Sequence, residues 1–171
     1  SQKSAATTNG ISNYLDNRGA VQVQAGLLWS TGWGVNSNTI TVADGAALEI
    51  DNNFTFATGS SLVSTGRIFL GGGGQKTVNA PLVLAQPLAV VNTIVEFDTD
   101  QSLGSLWLTN ATLQGVGTVT VTNQLVWYGG TMQGAGKTVI GPGATMVVAG
   151  NVDRWQNRLI ENAGVTEFGQ G

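Results

Sequence analysis

Hydrophobic residues recur along the chain at every second position in short runs. Val21 and Val23, Ile40 and Val42, Leu48 and Ile50, Phe54 and Phe56, Ile68 and Leu70, Val119 and Val121, and Leu125 and Trp127 each bracket one intervening residue. A period of two places the bracketing side chains on one side of an extended backbone, so each run predicts a short strand of four to six residues with one buried face. Gly26, Gly45, Gly59, Gly66, Gly115, Gly117, Gly130, Gly134, Gly136 and Gly143 fall between the runs, and residues 71–74 are four consecutive glycines. Glycine at these points predicts corners in backbone conformations that other residues resist, with residues 71–74 as a loop.

Two templates recur at these corners. The first runs from a hydrophobic residue through two variable positions to Gly, a small residue, a variable one and then Leu or Met. It occupies residues 42–48 (Val-Ala-Asp-Gly-Ala-Ala-Leu), 56–62 (Phe-Ala-Thr-Gly-Ser-Ser-Leu) and 140–146 (Ile-Gly-Pro-Gly-Ala-Thr-Met). The second begins with Ser or Thr and Leu or Met, and reaches Gly four residues later: Ser61-Leu62 with Gly66, Thr112-Leu113 with Gly117, Thr131-Met132 with Gly136. Its last two copies lie 19 residues apart. That spacing is too short for a pair of helices and suits one coil of a β-solenoid. The expected fold is therefore all-β, a single parallel β-solenoid over residues 14–168. At about 20 residues and about 4.8 Å per coil, this gives roughly seven coils and a rod about 35 Å long. Residues 1–13 read as an N-terminal extension and 169–171 as a C-terminal tail. An antiparallel β-sandwich is the alternative, since it too shows many short strands, but it does not require shared turn chemistry at distant corners. The template residues Leu48, Phe56, Leu62, Leu113, Met132 and Met146 are the expected inward-pointing core.

The string from Val126 to Gly136 (Val-Trp-Tyr-Gly-Gly-Thr-Met-Gln-Gly-Ala-Gly), followed by Ile140-Gly141-Pro142-Gly143-Ala144, resembles the β-strand repeats of large secreted bacterial surface proteins. Autotransporter passengers and filamentous-haemagglutinin-like adhesins are similar in style, over roughly residues 14–168. The resemblance implies a parallel β-helix on a cell surface or in a matrix, and it brings no catalytic residues with it.

Composition narrows the chemistry. The chain has no His and no Cys, which removes thiolate nucleophiles, imidazole relays, disulfides and ordinary zinc sites together. No enzyme activity and no cofactor are expected. Charged residues make up only 10%, the net charge is -3, and the seven Lys and Arg residues are scattered, so no basic stripe meets nucleic acid. No apolar run reaches the roughly 20 residues of a membrane helix, so no membrane insertion is expected. Ser1 in place of Met leaves room for a removed leader or a longer parent. The expectation is a secreted, extracellular or cell-surface structural or adhesive module.

Few residues offer a ligand site. Glu96, Asp98 and Asp100 alternate with Val95, Phe97 and Thr99. On one strand they would share a face at about 7 Å, a spacing suited to Ca²⁺ or to paired glycosidase carboxylates, or else they form a solvated face that discourages edge pairing. Trp29 and Trp33 are the best pair among five tryptophans for stacking on a surface glycan; otherwise the tryptophans fill the solenoid interior or cover its ends. Carbohydrate binding or cleavage on these residues is the alternative function. Asn17, Asn110 and Asn162 fall at turns, where an amide caps its own backbone or stacks between coils. Thr118, Thr120 and Thr122 resemble an ice-ordering array, but the matching positions of the other copies, Lys137, Val139 and Gly141, and Arg67, Phe69 and Gly71, break it.

The two ends of the chain match each other. Residues 14–23 (Tyr-Leu-Asp-Asn-Arg-Gly-Ala-Val-Gln-Val) correspond in character to 159–168 (Leu-Ile-Glu-Asn-Ala-Gly-Val-Thr-Glu-Phe) at an offset of 145. Val152, Trp155 and Leu159 at helical spacing compete with that match. Similar first and last coils predict partners that are copies of the chain itself, stacked head to tail, or tandem units of a longer parent.

Overall fold

The computed structural model describes residues 7–150 and 154–169. The chain winds as a three-faced solenoid. The first coil is β1 (Thr8–Ile11), β2 (Leu15–Asn17) and β3 (Ala20–Val23); the second is β4 (Leu27–Ser30), β5 (Gly34–Asn36) and β6 (Thr39–Val42). The third is β7 (Ala47–Ile50), β8 (Phe54–Phe56) and β9 (Ser61–Ser64); the fourth is β10 (Arg67–Leu70), β11 (Gln75–Val78) and β12 (Leu82–Leu84). β13 (Leu88–Val91) and β14 (Ile94–Phe97) lead into two long strands, β15 (Gln101–Gln114) and β16 (Val119–Met132), each of which crosses all three faces. The rod closes with β17 (Lys137–Ile140), β18 (Thr145–Val148), β19 (Arg154–Gln156), β20 (Leu159–Asn162) and β21 (Val165–Phe168). Strands on each face pair in parallel with the coil before and the coil after, as in β1 to β4 to β7 and β2 to β5 to β8, except on the third face, where β12 and β15 are not joined by a ladder. Partners are separated by 18 residues at Ala89 and Trp107 and by as many as 24 at Gly130 and Arg154. There are about eight turns, one more than expected, and β1 already stacks on β4 within the stretch read as an N-terminal extension. The all-parallel ladder excludes the sandwich, and the helical spacing near Leu159 gives way to β19 and β20.

The six template residues lie in the core, from fully buried Phe56, Leu113 and Met132 to Met146 at 8% exposure. The templates mark turn chemistry, not a fixed place in the coil. The first produces the same turn three times: Ala46 N–H donates to Ala43 O, Ser60 to Ala57 and Ala144 to Gly141, each at 3.0 Å. Gly45, Gly59 and Gly143 sit third in these turns at φ 74°, 83° and 79°, the type II geometry, and Pro142 holds the second position, where its fixed φ fits. Two copies turn from the third face to the first, whereas the copy at Gly59 turns from the second to the third. Only the last two copies of the second template stack directly, with Thr112 opposite Thr131 and Leu113 opposite Met132.

Its glycines serve a different need. Gly117 and Gly136 have no positive φ, but a β-carbon would lie 2.4 Å from Thr99 O and 2.3 Å from Gly117 O respectively. Glycine is required there because the preceding coil passes too close for a side chain.

Candidate functional site

The outer surface of the first face carries a series of exposed and half-exposed aromatics. One row of directly paired outward residues runs Gly10, Trp29, Glu49, Phe69, Ala89, Trp107, Val126 and Val147. Within it the aromatics Trp29, Phe69 and Trp107 fall on every second coil, about 10 Å apart at the usual strand spacing. Trp29 and Trp107 are 39% and 44% exposed. The small Ala47 and Ala89 leave a groove of about 620 Å³ beside Arg67, Phe69 and Trp107. Trp29 is held in place by its Nε1–H, which donates to Asp51 Oδ2 at 2.8 Å. Burial, and secondly the charge of Asp51, push the Glu49 carboxyl above its ordinary value.

Trp29 and Trp33 do not form a joint platform. Trp33, 59% exposed, stands at the corner entering the second face, where it lines a separate depression with Tyr14, Thr55 and Thr77. Trp107 instead aligns with Trp29 along the row, because β13 and β15 pair Ala89 with Trp107. Trp127 points inward at 6% exposure, as interior packing predicts, and the side chain of Trp155 lies outside the described residues.

The acidic series does not converge either. β14 ends at Phe97, so only Glu96 belongs to the strand. Its carboxylate accepts from Gln75 Nε2 at 2.5 Å, Thr77 Oγ1 at 3.3 Å and Gln114 Nε2 at 3.3 Å. Gln133 Nε2 donates to Gln114 Oε1 at 2.8 Å, which completes a polar ladder up the second face. Asp98 is exposed beyond the strand, and Asp100 Oδ1 caps the Thr118 N–H at 2.7 Å. Among the described residues, no group of three His, Cys, Asp or Glu side chains is placed to hold a metal ion. No described helix is long and apolar enough to cross a membrane.

Among the described residues, two cations, Lys76 and Arg158, are fully buried instead. Lys76 alternates with the inward Val78 on β11, and that phase was the signal in the sequence. Its ammonium donates to Gly71 O, to Gly73 O at 2.5 Å and to Thr93 Oγ1 at 2.9 Å, so the glycine loop is its cradle. Burial pushes its pKa down to about 8, with Asp51 opposing. Arg158 spans three coils: Nη1 donates to Gly115 O at 2.8 Å and Nη2 to Lys137 O at 3.0 Å and to Gly117 O, while Nε reaches Thr138 Oγ1 at 3.2 Å. Both cations donate to backbone carbonyls at or beside the corners, of which Gly115 O also accepts the Gly136 N–H at 3.1 Å, and this is a structural task. Set beside known proteins, the chain matches no family model, no curated protein sequence and no solved structure.

Proposed function

We propose that the protein is a non-enzymatic structural rod displayed outside the cell, which joins end to end with further copies or with tandem units of a longer parent. One inward column carries this reading. It runs Ile11, Ser30, Ile50, Leu70, Val90, Leu108, Trp127, Val148 and Phe168, each directly paired with the next. From Ser30 to Leu108 its members are at most 1% exposed, yet Phe168, in the same phase, is 80% exposed. An apolar core position left open beside strand edges that pair with no other described strand favours stacking of another coil. Negative-stain electron microscopy of the purified chain tests it. Unbranched fibres one solenoid wide are expected, and isolated particles one rod long at high concentration would overturn the reading.

The aromatic row supports a second role, adhesion to surface glycans. Rings at every second coil fit the step between alternate pyranose units of an extended β-linked chain, and Asp51 fixes the Trp29 ring before any ligand arrives. Binding on a glycan array that is lost in both Trp29→Ala and Trp107→Ala is the expected result. Unchanged binding in either variant, or no binding by the parent chain, would remove this role.

A further inference from the structure

The joint between copies can be specified further, resting on the end-to-end reading above. The first face carries β21, one coil beyond β19 on the second face and β20 on the third. If a second copy were added without rotation, its β1 would cover β21, while its β2 and β3 would face β19 and β20 across a missing strand. Turning the copy by one face removes the gap. β1 then lies on β19, β2 on β20 and β3 on β21, and every exposed edge gains a neighbour.

The side chains favour the same arrangement. Asn162 Oδ1 accepts the Gly164 N–H at 3.0 Å, and Asn17 Oδ1 accepts the Gly19 N–H at 3.2 Å, so the corner after β20 and the corner after β2 are the same turn. Placing Asn17 over Asn162 puts Leu15 over Ile160, Val21 over Thr166 and Val23 over Phe168. All of these belong to inward columns, since Ile160 pairs with buried Thr138, Thr166 with buried Met146, and Val21 and Val23 with buried Ile40 and Val42. Within one copy, Asn17 Nδ2 already donates to Asn36 Oδ1 at 2.6 Å. Asn162 of the neighbouring copy would extend this amide ladder by one coil. On the outside, Asp16 comes to lie beside Glu161, and each brings its own cation, Arg18 at 2.8 Å and Lys137 at 3.0 Å. From these matches we infer that the partner is a second copy of this chain, seated on β19, β20 and β21 with a rotation of one face, so that the fibre is a stepped helix of protomers.

The absence of cysteine makes the register directly testable. In the stepped joint Gln22 lies opposite Glu167 of the next copy, both outward and exposed; in an unrotated joint Gly10 takes that place. At the strand spacing of about 4.8 Å, a pair of cysteines directly opposite each other falls within disulfide range. Two double variants, Gln22→Cys with Glu167→Cys and Gly10→Cys with Glu167→Cys, would be oxidised as assembled fibres and run without reductant. The first should form a covalent ladder at least ten times more abundant than the second. Fibres that fail to crosslink through Gln22, or that crosslink equally or better through Gly10, would overturn the stepped joint and leave end-to-end assembly standing. A parent chain and variants that form no fibres would overturn both.

Discussion

The guanidinium of Arg158 lies against the bare Cα of Gly136, where a β-carbon would come 2.8 Å from both terminal nitrogens and 2.3 Å from Gly117 O. Gly136→Ala should therefore displace Arg158 from the corner carbonyls it binds. Arg158→Met roughly keeps the volume and removes the guanidinium donors, leaving Gly115 O with only the Gly136 N–H. Each change is expected to cost about 3 to 5 kcal/mol, read as a fall in the urea midpoint. A loss under about 1 kcal/mol in both would show that the buried cation does not hold the three coils together.

Two kinds of glycine predict two magnitudes. Gly45 needs its φ of 74° but has open space around its Cα, so Gly45→Ala should cost about 1 to 2 kcal/mol. Gly117→Ala meets the backbone of the preceding coil and should cost clearly more, in the range of an overpacked core, about 3 kcal/mol or above. Equal thermal shifts for the two variants would contradict the distinction.

Gln101 repairs a break in the third face. The four-stranded sheet of β3, β6, β9 and β12 is not ladder-paired to β15, and the Gln101 amide bridges the gap. Oε1 accepts the Leu82 N–H at 3.1 Å and Nε2 donates to Ala80 O at 3.1 Å, the pattern a strand backbone would supply. Gln101→Leu should cost about 2 to 4 kcal/mol, because two backbone groups lose buried partners. Hydrogen exchange should show the loss of protection concentrated at Leu82.

Lys76 predicts a rise of stability with alkaline pH. Its folded pKa of about 8 lies below the unfolded value of 10.5, so between these values the unfolded chain holds more protons and stability increases as pH rises. Below about pH 8 the contribution is flat. After allowance for solvent screening the gain is about 1 to 2 kcal/mol, and it should vanish in Lys76→Met when denaturation midpoints are compared from pH 7.5 to 10.5. Parallel pH curves for the two proteins would contradict it.

The solenoid was legible because alternation and corner chemistry are both local. Leu48 and Phe56 could be assigned inward from a period of two and Met146 from its place in the corner template, and the turns at Gly45, Gly59 and Gly143 share one hydrogen bond because they share one sequence pattern. The surface was not legible, because a row across coils depends on the number of residues in each coil. That number is 20 from Glu49 to Phe69 but 18 from Ala89 to Trp107, so no fixed period aligns Trp29 with Trp107. Proximity in sequence pointed to Trp33 instead, and a corner separates the two residues. The same limit hid Arg158, whose partners Gly115 and Gly117 lie 43 and 41 residues away.

The aromatic row also makes a prediction independent of any ligand. Phe69→Ala removes a half-buried ring packed against Gly71 on the outer surface and should cost only about 1 kcal/mol, whereas Phe56→Ala in the core should cost about 3 to 5 kcal/mol. Similar losses for the two would place Phe69 in the core instead of on the outer surface.

Sedimentation velocity of the chain over a hundredfold concentration range tests the central claim most directly, with Phe168→Asp as the comparison. The parent chain should form a series of growing elongated species as concentration rises, and Phe168→Asp, which places a charge at the open end of the core column, should remain a 17.6 kDa monomer under the same conditions. A parent chain that stays monomeric throughout, or a Phe168→Asp variant that assembles as well as the parent, would contradict a rod built to be extended from its ends.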